Sequence, residues 1–294
     1  MLHFTPLAPE DAGKLRLYFE FADNRICDNT PGTAVMWRDY FSTCYAIFNS
    51  TMICKLRGTD GITAFSMPLG KDINGAFSAI EDYCCNKNIP VVFCAVTEKE
   101  IPVLKSRYNI DVRCEDDWGD YLYNADDLSN MAGKKYSGQR NHINYFNSIN
   151  SGWRFEEITT SNVACVRDFY EDMGLSVRKD SQMFLEEQRK IIEVFEKYDL
   201  YGMKGGFISL ADGKIVAMAI GETVGDTLFV HIEKALADVR GAYQLIAREF
   251  PRHFCTDGVK FVNREEDLGE EGLRKSKLSY HPCEIIKKYT VIVK

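Results

Sequence analysis

The run from Phe261 to Pro282 constrains this chain more than any other stretch. A short apolar segment, Phe261-Val262, stops at Asn263, and Arg264 follows. Five carboxylates, Glu265, Glu266, Asp267, Glu270 and Glu271, then crowd a turn and a helix start. Arg274, Lys275 and Lys277 come later, and Tyr280-His281-Pro282 ends the run. Acidic groups at a helix start and basic groups near its end complement the helix dipole. The pattern predicts strand, turn and helix, the helix running from Gly269 to Tyr280. Polar density at the carboxyl end of a strand is where α/β proteins tend to carry their sites. The plainer account of the same charges is a solvated helix, with Asp267 capping it.

Hydrophobic periodicity supplies the remaining elements. In the first half it predicts a helix over 9–22, strand material over 40–55 turning at Asn49-Ser50, and a strand over 62–67. A helix over 74–87 follows, with Ala76, Phe77, Ile80 and Tyr83-Cys84 on one face, then a buried strand over 90–96. A short helix over 98–108 and a strand over 118–123 close the half. The second half predicts helices over 162–173 and 181–198, and strands over 205–210, 215–222 and 227–233. A helix over 241–250, a strand over 259–262, the helix described above and a terminal strand over 288–293 complete it. The similar order suggests two copies of one α+β layout: 1–127, a connecting helix over 128–151, and 152–294.

A chain of 294 residues has room for two modest domains. Its net charge of -7 repels nucleic acid at long range, so any such binding needs a local basic face. No apolar run approaches the ~20 residues that span a bilayer, and the start of the chain has no charged-then-apolar signal pattern. A cytoplasmic protein without transmembrane contact is expected. The ten cysteines include no Cys-x-x-Cys pair and are expected to be reduced, mostly buried thiols. The five histidines are widely separated, so no metal is expected.

One local face is basic. Residues 128–155 hold no Asp or Glu, although the chain has 43 of them. Lys134, Lys135, Arg140 and Arg154 alternate there with Tyr136, Tyr145, Phe146 and Trp153. Cations beside aromatic rings can hold phosphates and stack bases, which makes Lys134, Lys135, Tyr136, Arg140 and Asn141 candidate phosphate or substrate ligands. A helix with packed aromatics and solvated lysines accounts for the same residues.

The segment from Gly152 to Lys294 resembles the GNAT acyltransferase fold. Thr227-Leu228-Phe229-Val230-His231-Ile232-Glu233 matches the family's splayed strand. Asp238-Val239-Arg240-Gly241-Ala242-Tyr243 matches its pyrophosphate loop and helix start, where backbone N–H groups and the positive helix end hold anions. Tyr243 departs from the small residue the family prefers, and its bulk opposes close backbone approach to phosphate. Asn263 and Tyr280 fall where the family has an Asn and a Tyr. Lys134 to His142, taken with Asn263 to Gly269, further resembles soluble bacterial proteins grouped with the C-terminal domain of phosphatidylglycerol lysyltransferase. That likeness covers the whole chain and implies a tandem GNAT pair. The membrane-bound relatives move lysine from lysyl-tRNA to a lipid headgroup.

These resemblances imply an acyl- or aminoacyltransferase that takes its acyl group from acyl-CoA or aminoacyl-tRNA and passes it to a small-molecule amine or hydroxyl in the interdomain cleft. They place the donor at His231, Ile232, Arg240, Gly241, Ala242, Tyr243, Asn263 and Arg264. Such chemistry needs a base, an oxyanion donor and an acid. Glu222, Glu233 and Glu265 are the candidate bases and Tyr280 the candidate acid. A tRNA donor would use the Lys134 to Arg140 stretch. The second half is expected to be the active one. The competing expectation is a non-enzymatic tandem module that binds an anionic small molecule or a protein. On that account Tyr280 is a core aromatic, His231 a satisfied core histidine, His281 structural, and the carboxylates surface groups.

Overall fold

The computed structural model describes residues 2–58, 61–173, 182–256 and 258–294. Ser181, the expected start of one helix, lies outside the described residues. The fold is α+β, in two units, each with a mixed sheet flanked by helices. The first unit comprises the chain up to Asp120 together with Glu266–Gly269 and Ile285–Lys294; the second comprises Tyr121–Glu265 and Glu270–Glu284.

The first sheet contains β1 (Thr5–Pro6), β2 (Cys44–Phe48), β3 (Thr51–Arg57), β4 (Thr63–Phe65), β5 (Leu69–Gly70), β6 (Val92–Thr97) and β7 (Ile110–Cys114). The second contains β8 (Asp120–Asn124), β9 (Arg154–Glu157), β10 (Lys204–Ser209), β11 (Ile215–Val224), β12 (Thr227–Ala235), β13 (Phe261–Asn263) and β14 (Glu284–Ile286). The last strand, β15 (Lys288–Val293), returns to the first sheet. The orders are β1-β2-β3-β4-β6-β15-β7, with β5 on β3, and β14-β8-β13-β12-β11-β10-β9. The periodicity predicts a terminal strand in each half. Instead, the strand expected to end the first half is β8, in the second sheet, and the strand expected to end the second half is β15, between β6 and β7. Antiparallel pairing of β15 to both neighbours drives this choice, because it satisfies both of its edges.

Local chemistry accounts for most elements. Asn49 and Ser50 have φ of +44° and +58°, the left-handed pair of a tight hairpin, and they join β2 to β3 in register. The helix Ile73–Lys87 starts at Asp72, whose carboxylate accepts from Gly75 N, and stops at Asn88 in the left-handed region. Its Ala76, Phe77, Ile80 and Cys84 are buried with Phe65 and Phe93 of the sheet, as their spacing predicts. The edge strand β7 and the short helix Pro31–Met36 have no counterpart among the expected elements. Ile110 and Val112 alternate with Asp111 and Arg113 over too few residues to stand out. The short helix is set by Thr30, which accepts from Thr33 N, and by Pro31 at its first turn.

The basic stretch belongs to the second unit. Helix Ser137–Ile149 buries Ile143 and Phe146 in that core, beside Tyr136, Leu228, Leu245 and Val262. The expectation of mostly buried cysteines needs correction. All ten are free, but only Cys27, Cys54 and Cys84 are buried, while Cys85, Cys114, Cys165 and Cys283 are exposed. A thiol is small enough to sit on the outer face of a helix or strand at little cost.

Candidate functional site

In the second unit β12 and β13 run parallel, and their ladder covers only Thr227–Phe229 against Phe261–Asn263. Beyond Phe229, β12 continues to Ala235 without β13 beside it. On its other edge the register against β11 shifts: Gly221 pairs with Val230, but Ile220 pairs with Ile232. His231 is therefore the extra residue of a β-bulge, the device that re-aims a side chain. Gly221 makes the bulge possible, since a Cβ there would lie 2.0 Å from Phe229 O.

The re-aimed imidazole is buried between two carboxylates. Its Nδ1 lies 2.8 Å from Glu265 Oε1 and its Nε2 lies 3.1 Å from Glu222 Oε1. Burial opposes charge on the ring, but hydrogen bonds and attraction from Glu222 and Glu265 outweigh it and raise its pKa to about 10. At neutral pH His231 is an imidazolium, so it donates from both nitrogens and is no base. Glu265 reaches it through a strained turn: its φ is +57°, and its N–H donates to Asn263 Oδ1 at 2.7 Å. The buried Asn263 thus serves to aim Glu265.

A second cluster adjoins the first through the chain. The buried guanidinium of Arg264 donates from Nη2 to Glu233 Oε1 at 2.8 Å and lies 3.4 Å from Tyr243 Oη. Its Cζ stands 4.6 Å from the Tyr280 ring centroid and 5.8 Å from that of Tyr123. Burial opposes its charge, but Glu233 more than compensates, so Arg264 stays ionised. Two polar atoms here are buried with no hydrogen-bond partner among the described residues: Arg264 Nη1 and Tyr280 Oη. Buried groups of this kind are rare in folded proteins and call for an explanation. Burial pushes the Tyr280 phenol well up, against the pull of Arg264, so it keeps its proton at neutral pH.

The structure brings Glu222, His231, Glu233, Tyr243, Asn263, Arg264, Glu265 and Tyr280 together. It does not bring the basic stretch to them as a phosphate cradle. Lys135 pairs with Asp127 at 2.9 Å, Arg140 donates to the carbonyls of Met131 and Gly133, and Tyr136 is buried with its hydroxyl on Tyr280 O. Lys134 and Asn141 are exposed. Arg240 is exposed and stacks on Tyr145, Ala242 is buried in the core, and Ile232 is buried. Gly241, at φ +90°, lies so close to helix Ser137–Ile149 that a Cβ would sit 2.3 Å from His142 O. Asp267 accepts from Gly269 N, and the helix that follows runs Glu271–Leu278 from Glu270. His281 holds Lys135 O. Sequence reasoning missed Tyr123 and Lys277, whose ammonium holds Arg264 O at 2.6 Å and whose carbonyl accepts from Tyr123 Oη. No local signal marks either residue, because their partners are distant in sequence.

Among the described residues Cys27, Asp28 and Glu266, in the first unit, bring a thiol and two carboxylates within 4.8 Å of one another. The Lys288 ammonium contacts all three, so a side chain already supplies the cation a metal would supply. No helix of the described residues is long and apolar enough to cross a membrane.

Comparison with known proteins adds three relatives and a family. The family model for phosphatidylglycerol lysyltransferase, C-terminal, matches residues 19–292. An uncharacterised protein of Mycoplasmoides gallisepticum is 23% identical over 200 residues, a match covering 67% of this chain and 63% of that protein's length. A conserved protein of unknown function from Bacteroides thetaiotaomicron superposes with a TM-score of 0.92 at 27% identity, over 100% of both chains. The L-PGS of Bacillus licheniformis shares the fold, with a TM-score of 0.67 at 14% identity over 97% of this chain and 92% of that one.

Proposed function

The chain belongs to the phosphatidylglycerol lysyltransferase C-terminal family, and on that premise we propose that it is an acyl- or aminoacyltransferase whose reacting groups stand where β12 parts from β13 in the second unit. One observation carries the reading: Tyr280 Oη and Arg264 Nη1 are both buried without a partner, beside carboxylates that are already organised. A protonated phenol and a spare guanidinium N–H suit a leaving oxygen and a developing oxyanion.

In this reading an amine or hydroxyl attacks the donor carbonyl. Glu265, the more exposed of the two carboxylates on His231, takes the acceptor's proton. Arg264 Nη1 stabilises the oxyanion, and Tyr280 returns a proton to the leaving group as the acyl bond breaks. The imidazolium of His231 fixes Glu265 and stays charged throughout. The helix covering Gly241 and the phenol of Tyr243 turned toward Arg264 favour an aminoacyl ester over acyl-CoA as donor.

The test presents the protein with radiolabelled aminoacyl-tRNA and acetyl-CoA, each with a panel of amine and hydroxyl acceptors. Transfer of label from aminoacyl-tRNA is expected, with Tyr280→Phe lowering kcat about 100-fold or more. Absence of transfer from both donors would sink the reading and leave a binding module. Transfer from acetyl-CoA alone would overturn the choice of donor.

A further inference from the structure

The sheet of the first unit has one face that its own side chains do not fill. Successive residues of a strand point to opposite faces. Phe65, Phe93 and Val291 lie on one face and form a buried core with helix Ile73–Lys87. Their neighbours point the other way, and at the centre of the sheet these are small: Ala64, Ser66, Cys94 and Thr290. All four line a cavity of about 330 Å3. The parallel pairing of β4 with β6 is made at Phe65 and Phe93. From there β6 runs on through Ala95, which also lines the cavity and is held at φ +51°. A non-glycine residue in that region is uncommon, and such residues cluster at ligand sites.

Large side chains border the hollow without filling it: Phe19, Trp37, Phe41 and Trp118. The Phe41 ring centroid stands 6.4 Å from that of Trp37 and 6.3 Å from that of Trp118. Protein interiors leave few voids larger than a water molecule, so a hollow of this size walled by rings has the form of a small-molecule pocket. At interior packing density it holds a body of about a dozen non-hydrogen atoms.

The polar wall decides what kind of body fits. Cys54 and Cys94 stay neutral thiols, because burial pushes both up, Cys54 to about 12. Lys288 and Asp28 line the cavity and pair at 2.5 Å, so both signs of charge stand together. An entering ammonium would meet Lys288 and an entering carboxylate would meet Asp28, in a space with little water to screen either. Arg113 and Glu115 are likewise of opposite sign. A hydroxyl avoids both conflicts. The Asp28 side chain is 36% exposed, and its carboxylate has more lone pairs than the Lys288 ammonium and the Cys27 thiol take up.

We infer that this cavity binds a small uncharged aromatic alcohol, its hydroxyl donating to Asp28 and its ring against the wall that carries Trp37, Phe41 and Trp118. The site lies within the first unit and takes no part in the transfer chemistry, so neither reading depends on the other.

Two of the three tryptophans line the cavity, so intrinsic fluorescence reports its filling. The full chain is titrated with 2-phenylethanol, with the charged isosteres 2-phenylethylamine and 3-phenylpropionate, and with ethylbenzene, which lacks the hydroxyl. The alcohol is expected to give a saturable change, with affinity at least tenfold above both charged isosteres and at least threefold above ethylbenzene. Ala64→Leu, which fills the hollow from the sheet, is expected to abolish the response. Ala34→Leu fills it from the helix side and tests the same point should Ala64→Leu fail to fold. No saturable response to millimolar alcohol would overturn the inference. So would equal or tighter binding of either charged isostere or of ethylbenzene, or alcohol binding that a folded wall variant leaves unchanged.

Discussion

At the scale of single residues, the site turns on His231. Its imidazolium holds two carboxylates, and its pKa of about 10 in the fold compares with 6.5 for a free imidazole. A raised pKa means the folded chain holds the proton more tightly than the unfolded one. The stability it contributes is fully present below about pH 6.5 and is lost as pH rises through 10. At about 1.4 kcal/mol per pH unit the change amounts to a few kcal/mol. His231→Gln is therefore expected to lower Tm most at pH 6 and least near pH 10, as read by thermal melts across that range. A constant deficit would mean that the ring is neutral in the fold. Asn263→Ala is expected to cost about 1–2 kcal/mol in urea unfolding, because the Glu265 N–H loses its buried acceptor and the left-handed φ loses its support.

At the scale of elements, Gly241 bears on how the loop before helix Ala242–Phe254 is interpreted. The Arg240-Gly241 pair reads as an anion-binding turn. In the fold this glycine lets the helix approach helix Ser137–Ile149 until no side-chain atom fits. Gly241→Ala is expected to destabilise the second unit by several kcal/mol through backbone overlap and the positive φ. Urea melts of the variant without ligand would register this, and an unchanged midpoint would return the glycine to a ligand role. The basic stretch follows the same logic. Its aromatic and aliphatic positions, Tyr136, Ile143 and Phe146, build the core, and Arg140 holds carbonyls at the helix entry. Phe146→Ala is expected to cost about 3–5 kcal/mol, and Lys134→Ala close to nothing, since Lys134 is exposed.

At the scale of the whole molecule, each sheet borrows a strand across the sequence boundary. The first sheet needs β15 between β6 and β7, so a fragment of residues 1–119 lacks an internal strand and leaves two edges open. That fragment is expected not to fold, giving the emission of exposed tryptophan at Trp37 and Trp118 and rapid proteolysis. A cooperative melt of the fragment would contradict this. The charge cluster depends on the same closure, since Cys27 and Asp28, Asp120, Glu266 and Lys288 come from four separate parts of the chain. Lys288→Met is expected to cost about 3–5 kcal/mol by leaving buried carboxylates without their cation.

The sequence by itself determined the elements whose causes are local. The period of Ala76, Phe77 and Ile80, the Asn49-Ser50 turn and the order of strand, loop and helix through Thr227–Ile246 all follow from neighbouring residues. The likeness carried by Asn263 and Tyr280 was legible for the same reason. Only the tertiary structure decided which sheet each terminal strand joins, because open edges on either sheet can accept the same alternating segment. Only it showed that the five carboxylates after Asn263 divide, Glu265 going to His231 and Glu266 to Lys288, and that His231 is charged. A pKa is set by burial and by partners brought together in space, and a buried cation gathers carboxylates whatever their separation along the chain.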